Sequence, residues 1–205
     1  MPALTLANLL SLTTKALGNR LDLTASELSL QANIAQQEIA AMLPHTELMK
    51  SSTLVLAAGS NSTVVPGDLA EVISVSRPNS YDSMGYRILT QVPLREIDNA
   101  SEGTQTGVAN RYAISANSIL MYPTSTSQDT FTLRYVASPT DMVALTTQPS
   151  LHTRYQPAVL YKLQENMADL MVDNERAAYF RNKCISVLGT VPTPQESLSR
   201  AQGAT

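Results

Sequence analysis

The chain has 205 residues, of which 43% are apolar and 15% are charged, a balance that is typical of globular proteins although low in charge. Its 14 lysines and arginines against 17 acidic residues exclude the basic excess with which proteins bind nucleic acid. Its apolar runs are much shorter than a membrane span, and the N-terminus has no basic segment followed by an apolar run. We therefore expect a globular protein that is made in the cytoplasm and has no membrane segment.

Two helices are predicted within residues 4–43. The first carries an apolar stripe at helical spacing and is followed by Gly18, a residue that often ends helices. The second begins at Thr24, which with Glu27 has the spacing of a capping box, and ends before Pro44. The two stripes consist of Leu6, Leu9, Leu10, Thr13 and Leu17 in the first helix and Leu28, Ala32, Ala35, Ile39 and Met42 in the second.

Residues 53–137 change to short β-branched runs between turn residues, which predicts a small β module of about five or six short strands. The segment "RYAISANSILMYP" predicts two strands that flank Ala116 and Asn117. In "TFTLRYVA", the alternation of Phe131, Leu133 and Tyr135 with neighbouring residues predicts a strand. Because helices precede and follow this module, we predict an α+β fold in which the N- and C-terminal helix pairs pack together around the insertion point.

A helical hairpin is predicted over residues 154–189, with Asp173 or Asn174 capping its second helix and Gly189 ending it. Its core is predicted to contain Leu160, Leu163, Met167 and Leu170, within a stripe that also includes Val159 and Met171. The other faces of the first helix would carry Gln164, Glu165 and Asp169. In the second helix, Arg181 would face solvent while Ala177, Phe180, Cys184 and Leu188 face inward. Residues 1–189 are thus predicted to form one domain, followed by an extended tail over residues 190–205.

The sequence contains no motif for nucleotide binding, metal binding or nucleophilic catalysis. His45 and His152 fall in predicted loops, without a second histidine or a cysteine at ligand spacing. Cys184 is interpreted as a buried small hydrophobic residue. Asp169 and Asp173 are interpreted as a solvated position and a helix cap, although in principle they could share a proton. We therefore predict that the protein is not an enzyme and uses no cofactor or metal ion.

In their order along the chain, these segments resemble the head–tail adaptor (connector) proteins of tailed bacteriophages. The resemblance rests on "VVPGDLAEVISV", "RYAISANSILMYP", "FTLRYVA" and the hairpin segment "YQPAVLYKLQENMADLMVDNERAAYF", and it covers roughly residues 1–190. The chain departs from the family pattern at Ala70, where an aromatic residue is frequent, and at Val136, where a second tyrosine is common.

The resemblance implies a structural virion protein of the neck that forms a homo-oligomeric ring of about twelve subunits beneath the portal. Its partners would be the portal protein and a downstream neck or tail protein. DNA would pass through the lumen without specific binding, since a slightly acidic subunit does not displace counterions from phosphates. Two alternatives remain open: another neck or tail-completion component of the same particle, or a small enzyme or binding module whose site the sequence does not reveal.

The tail "TVPTPQESLSRAQGAT" is expected to be disordered in the free subunit, because it has little apolar surface to offset the entropy of ordering. Pro192 and Pro194 exclude a helix there. The resemblance implies that the tail docks on the portal, as adaptors of this kind commonly do. Val191, Leu198 and Arg200 are then the predicted portal-binding anchors, two as apolar plugs and one as a charge that can meet a carboxylate.

Overall fold

The computed structural model describes residues 4–18, 24–78, 86–101 and 105–190. The chain divides into two compact units, a β unit over residues 44–138 and a helical unit formed by the residues before and after it. The described residues form five helices, α1 (Leu6–Ala16), α2 (Ala25–Met42), α3 (Leu94–Ser101), α4 (Gln156–Leu170) and α5 (Asn174–Thr190). They also form eight strands, β1 (Met49–Leu56), β2 (Ser62–Val64), β3 (Leu69–Pro78), β4 (Tyr86–Ile88), β5 (Thr90–Gln91), β6 (Arg111–Ser115), β7 (Ser118–Tyr122) and β8 (Asp129–Ala137). This mixture of helices and sheets confirms the predicted α+β class.

The N-terminal helices begin and end where the sequence predicts. At the start of α2, the Thr24 hydroxyl accepts a bond from the Glu27 amide while the Glu27 carboxylate accepts one from the Thr24 amide, which is the predicted capping box. Gly18 follows α1 with a φ of 70°, a conformation that glycine adopts without strain. Met42 is the exception in the second stripe, because it lies exposed in the last turn of α2 rather than in the core.

Helix α4 lies at the centre of the helical unit and packs against α1, α2 and α5. Buried amide side chains tie the connecting segments to these helices. Gln36 of α2 donates to the Thr140 carbonyl at 2.9 Å and accepts from the Ser150 amide at 2.7 Å, and Gln156 of α4 accepts from the Leu4 amide at 2.7 Å. Because these bonds satisfy the buried amide groups, the loop before α4 has a fixed path over the helices.

The β unit consists of two four-stranded sheets, with strand orders β1-β8-β3-β4 and β2-β7-β6-β5. Neighbouring strands are antiparallel except β5 and β6, which are parallel. The strand predicted in "TFTLRYVA" is confirmed as β8, whose Phe131, Leu133 and Tyr135 are buried in the core of the unit. The prediction of about five or six strands was wrong. The missed strands are β4 and β5, which have only three and two residues, too few to show a period in the sequence.

Asp68 joins two strands of the first sheet. Its carboxylate accepts bonds from Lys50 of β1 at 2.7 Å and from the Tyr135 hydroxyl of β8 at 2.9 Å. Although burial opposes it, this bonding lowers the pKa of the Asp68 carboxyl below its ordinary value. The ionised form of Asp68 therefore stabilises the folded β unit.

Candidate assembly surfaces

A buried carboxylate, Glu165, lies between the two helices of the α4–α5 hairpin. Its Oε1 accepts a bond from Arg181 Nε of α5 at 2.7 Å, and its Oε2 lies 3.3 Å from Lys162 Nζ. Glu38 of α2 lies 3.9 Å from the same lysine and accepts a bond from Asn166 at 2.7 Å. The hydrogen bond and charge of Glu165 raise the pKa of the Arg181 guanidinium. One network of charges thus connects α2, α4 and α5.

This network corrects the predicted faces of the hairpin. Glu165 and Gln164 are buried rather than exposed, and Arg181, although half exposed, covers the Glu165 carboxylate. The reason is that α4 is surrounded by three other helices, so that it buries more of its circumference than one apolar stripe. Of the two caps predicted for α5, Asp173 and Asn174, the structure shows Asp173, whose side chain accepts a bond from the Arg176 amide at 3.1 Å.

The four predicted core residues of the hairpin have different environments. Leu163 and Met167 are fully buried, and Leu160 is half-buried. Leu170 is 58% exposed and does not belong to the core, because it lies in the last turn of α4. Helix α5 runs to Thr190 and therefore includes Gly189, which was expected to end it. The predicted anchors Val191, Leu198 and Arg200 lie outside the described residues.

The loop that precedes α4 presents two apolar side chains to solvent. Val143 is 89% exposed and Leu145 is 58% exposed. The backbone around them is held in place, because the Leu145 carbonyl accepts from the Ala7 amide at 2.9 Å and the Met142 amide donates to Asn33 at 2.8 Å. An exposed apolar tip on a fixed loop is a feature of protein contact surfaces, since its ordering entropy is already lost before binding.

A second exposed apolar site lies at the turn between α4 and α5. There Val172 is 79% exposed, and Leu170, two residues before it, is also exposed. Val172 has a φ of 58°, and the amides of Val172 and Asp173 bond to the carbonyls of Asp169 and Ala168 at 3.0 Å and 2.9 Å. This is a Schellman ending, in which glycine normally occupies the position that valine has here. A β-branched residue in this conformation is strained, so the sequence keeps an apolar side chain at the turn at a cost in stability.

The described residues offer little for chemistry. They contain no cluster of three or more histidine, cysteine, aspartate or glutamate side chains that could hold a metal ion. A cavity of about 330 Å³ in the β unit is lined by Val64, Val65, Pro66, Gly67, Leu69, Ala116 and Asn117, none of which titrates. Cys184 is buried, and burial raises the pKa of its thiol, which disfavours the nucleophilic thiolate. Among the described helices, none is long and apolar enough to cross a membrane.

Comparison with known proteins agrees with the resemblance found in the sequence. Curated proteins give no match to the chain. The SU10 adaptor protein family, in contrast, matches residues 4–204, a range that includes the N-terminal helices, the β unit, the hairpin and nearly all of the tail. This match confirms the prediction of a bacteriophage adaptor, a structural virion protein that contacts other proteins of the particle. The chain belongs to the SU10 adaptor protein family.

Proposed function

We propose that this adaptor forms a ring that connects the portal to the neck or tail and continues the DNA channel. The observation that carries the proposal is that two places in the helical unit each present two exposed apolar side chains, Val143 with Leu145 in the loop and Leu170 with Val172 in the hairpin turn. A structural virion protein uses such surfaces for assembly. The homo-oligomeric ring would have about twelve subunits to match a portal of the same symmetry.

The two apolar sites lie far enough apart to make a head-to-tail contact between neighbouring subunits. The loop site lies near the start of α4, because Leu4 bonds to Gln156 and Ala7 bonds to Leu145 within the same short segment. The turn site lies at the other end of this 15-residue helix, roughly 20 Å away at 1.5 Å per residue. If the loop site of one subunit contacts the turn site of the next, the contact is head-to-tail, and such contacts close into rings when the rotation is right.

The charge of the subunit suits a channel through which DNA passes without being bound. The formal net charge is −3, and binding to phosphates requires lysine or arginine to release counterions. In this function the protein is not an enzyme and needs no cofactor, and its place is the neck of the virion. The downstream partner is another neck or tail protein.

The C-terminal tail is the proposed contact with the portal. Val191, Leu198 and Arg200 would anchor it, the first two in apolar pockets and the third on a carboxylate. Truncation after Gly189 is expected to weaken portal binding about tenfold or more, which corresponds to about 1.4 kcal/mol. The melting temperature of the subunit should stay nearly unchanged. Full-affinity docking by the truncated protein would contradict this role for the tail.

The experiment that tests the ring is mass photometry of the purified protein with and without the portal. We expect small species alone and a uniform ring on the portal. Val143→Glu should block ring formation without lowering the melting temperature, since the side chain is 89% exposed. Val108→Glu is the matched control, because Val108 is also exposed but belongs to the β unit, and this variant should assemble normally. A stable closed dimer under both conditions would contradict the ring. If the protein bound another neck protein and did not bind the portal, it would instead be a different neck or tail-completion component of the particle.

A further inference from the structure

Strand β1 is the longest of the edge strands that the structure describes. Among the described edge strands, β2, β4 and β5 have only two or three residues, whereas β1 has eight and pairs with β8 without a bulge. Proteins commonly protect edges with short strands, bulges, proline or a projecting lysine. The lysine of β1, Lys50, is instead engaged with Asp68 at 2.7 Å. The length and regularity of β1 therefore suit it to accept a further strand.

The register identifies which backbone groups face outward. The Ala137 amide donates to the Leu48 carbonyl at 2.9 Å, so the backbone N–H and C=O groups of Leu48 point toward β8. Because these groups alternate in direction along an antiparallel strand, those of the even-numbered residues of β1 also point toward β8. The backbone N–H and C=O groups of the odd-numbered residues point away from β8. This direction agrees with the bond from the Thr63 hydroxyl to the Val55 carbonyl at 3.1 Å. Met49, Ser51 and Thr53 are thus left with their N–H and C=O groups directed away from the sheet.

The sequence after α5 has the pattern of an edge strand that pairs on one side only. Residues 191–205 lie outside the described structure and begin directly after Thr190. In an extended conformation, the backbone N–H groups of this segment would alternate between two sides. Pro192 and Pro194, which have no N–H, would then occupy one side, and the N–H groups of Thr193, Gln195 and Ser197 would face the other. Proline is tolerated on the outer side of an edge strand, where it also prevents a further strand from adding.

We propose that residues 193–197 of one subunit add to residues 49–53 of strand β1 of a neighbouring copy. Each segment has five residues. In each, the first, third and fifth residues would point their backbone N–H and C=O groups toward the other strand. The proposal rests on the ring of the proposed function, in which neighbouring copies lie side by side, and it makes the tail a strand exchanged between them. Val191, Leu198 and Arg200 flank the paired segment and stay available to the portal.

The test uses the full-length protein and a synthetic peptide of residues 190–202, with amide hydrogen exchange followed by NMR. In the dilute protein, the Ser51 and Thr53 amides should exchange rapidly. Excess peptide should slow their exchange about tenfold or more, as expected for newly formed backbone hydrogen bonds. The Ser52 and Leu54 amides, which face β8, should not change.

Two peptide variants separate strand addition from other binding. Ser197→Pro removes an N–H that faces β1 and should abolish the protection, whereas Glu196→Pro removes one that faces outward and should preserve it. Equal behaviour of these two peptides would overturn the proposal, as would absence of protection with the unmodified peptide. Protection that is already present in the dilute protein and disappears on truncation after Thr190 would show that the tail pairs within its own subunit, and this also overturns the proposal. A failure to form rings on the portal would instead be seen by mass photometry and would count against the proposed function.

Discussion

Replacing Leu163 by alanine is expected to destabilise the helical unit strongly, whereas the same replacement at Leu170 should have little effect. Leu163 is 0% exposed, and its neighbours one turn away on α4, Val159 and Met167, are also completely buried. The cavity left by Leu163→Ala is therefore enclosed, which places its cost in the upper part of the usual range, at about 3–5 kcal/mol. Leu170 lies seven residues along the same helix and is 58% exposed, so its truncation should cost no more than about 0.5 kcal/mol.

Urea unfolding followed by far-UV circular dichroism measures both costs. Because both variants make the same chemical change in the same helix, differences in helix propensity nearly cancel. The difference in stability is obtained from the shift of the midpoint at an unchanged slope. Similar midpoint shifts for the two variants would refute the assignment of the two faces of α4, and a larger shift for Leu170→Ala would reverse it.

Three further predictions concern charge and strain. Arg181→Ala should lower the urea midpoint more than Arg176→Ala, because only the first leaves the buried Glu165 carboxylate without its closest partner. Val172→Gly should raise stability by about 1 kcal/mol, since glycine relieves the strained conformation at the turn; if the midpoint falls, the turn is not strained. Because the folded state lowers the pKa of Asp68, its contribution is present above the unfolded pKa and is lost as the pH falls below about 4. Asp68→Asn should remove that part of the acid dependence in pH-dependent unfolding, and an unchanged profile would contradict it.

Local signals in the sequence were sufficient for the helices and for the main strands. The capping box of Thr24 and Glu27 and the glycine after α1 act through bonds and torsions that need no distant partner. The alternation in β8 was readable because the strand has nine residues and one side faces the core. The same reasoning could not find β4 and β5, which have three and two residues and whose pairing depends on strands elsewhere in the sequence.

The environment of α4 could not be predicted from its own periodicity. A helical wheel assigns one buried stripe, whereas Glu165 is buried because α5 supplies Arg181, and α2 adds Glu38 to the same network. These partners come from segments far apart in the sequence, and only the tertiary structure brings them together. A charged residue on a helix is predicted to face solvent because most such residues are exposed.

Two further mismatches between pattern and structure occur at the hairpin turn proposed for assembly. Leu170 continues an apolar stripe beyond the point where the unit can bury it, and Val172 keeps a β-branched side chain where glycine would be more stable. Neither choice benefits the isolated subunit, since exposed apolar surface and backbone strain both lower its stability or solubility. Natural sequences depart from local consistency mainly where function requires it. For an adaptor, that function is contact with other proteins of the virion, so we expect Leu170 and Val172 to become buried when the subunit assembles with them.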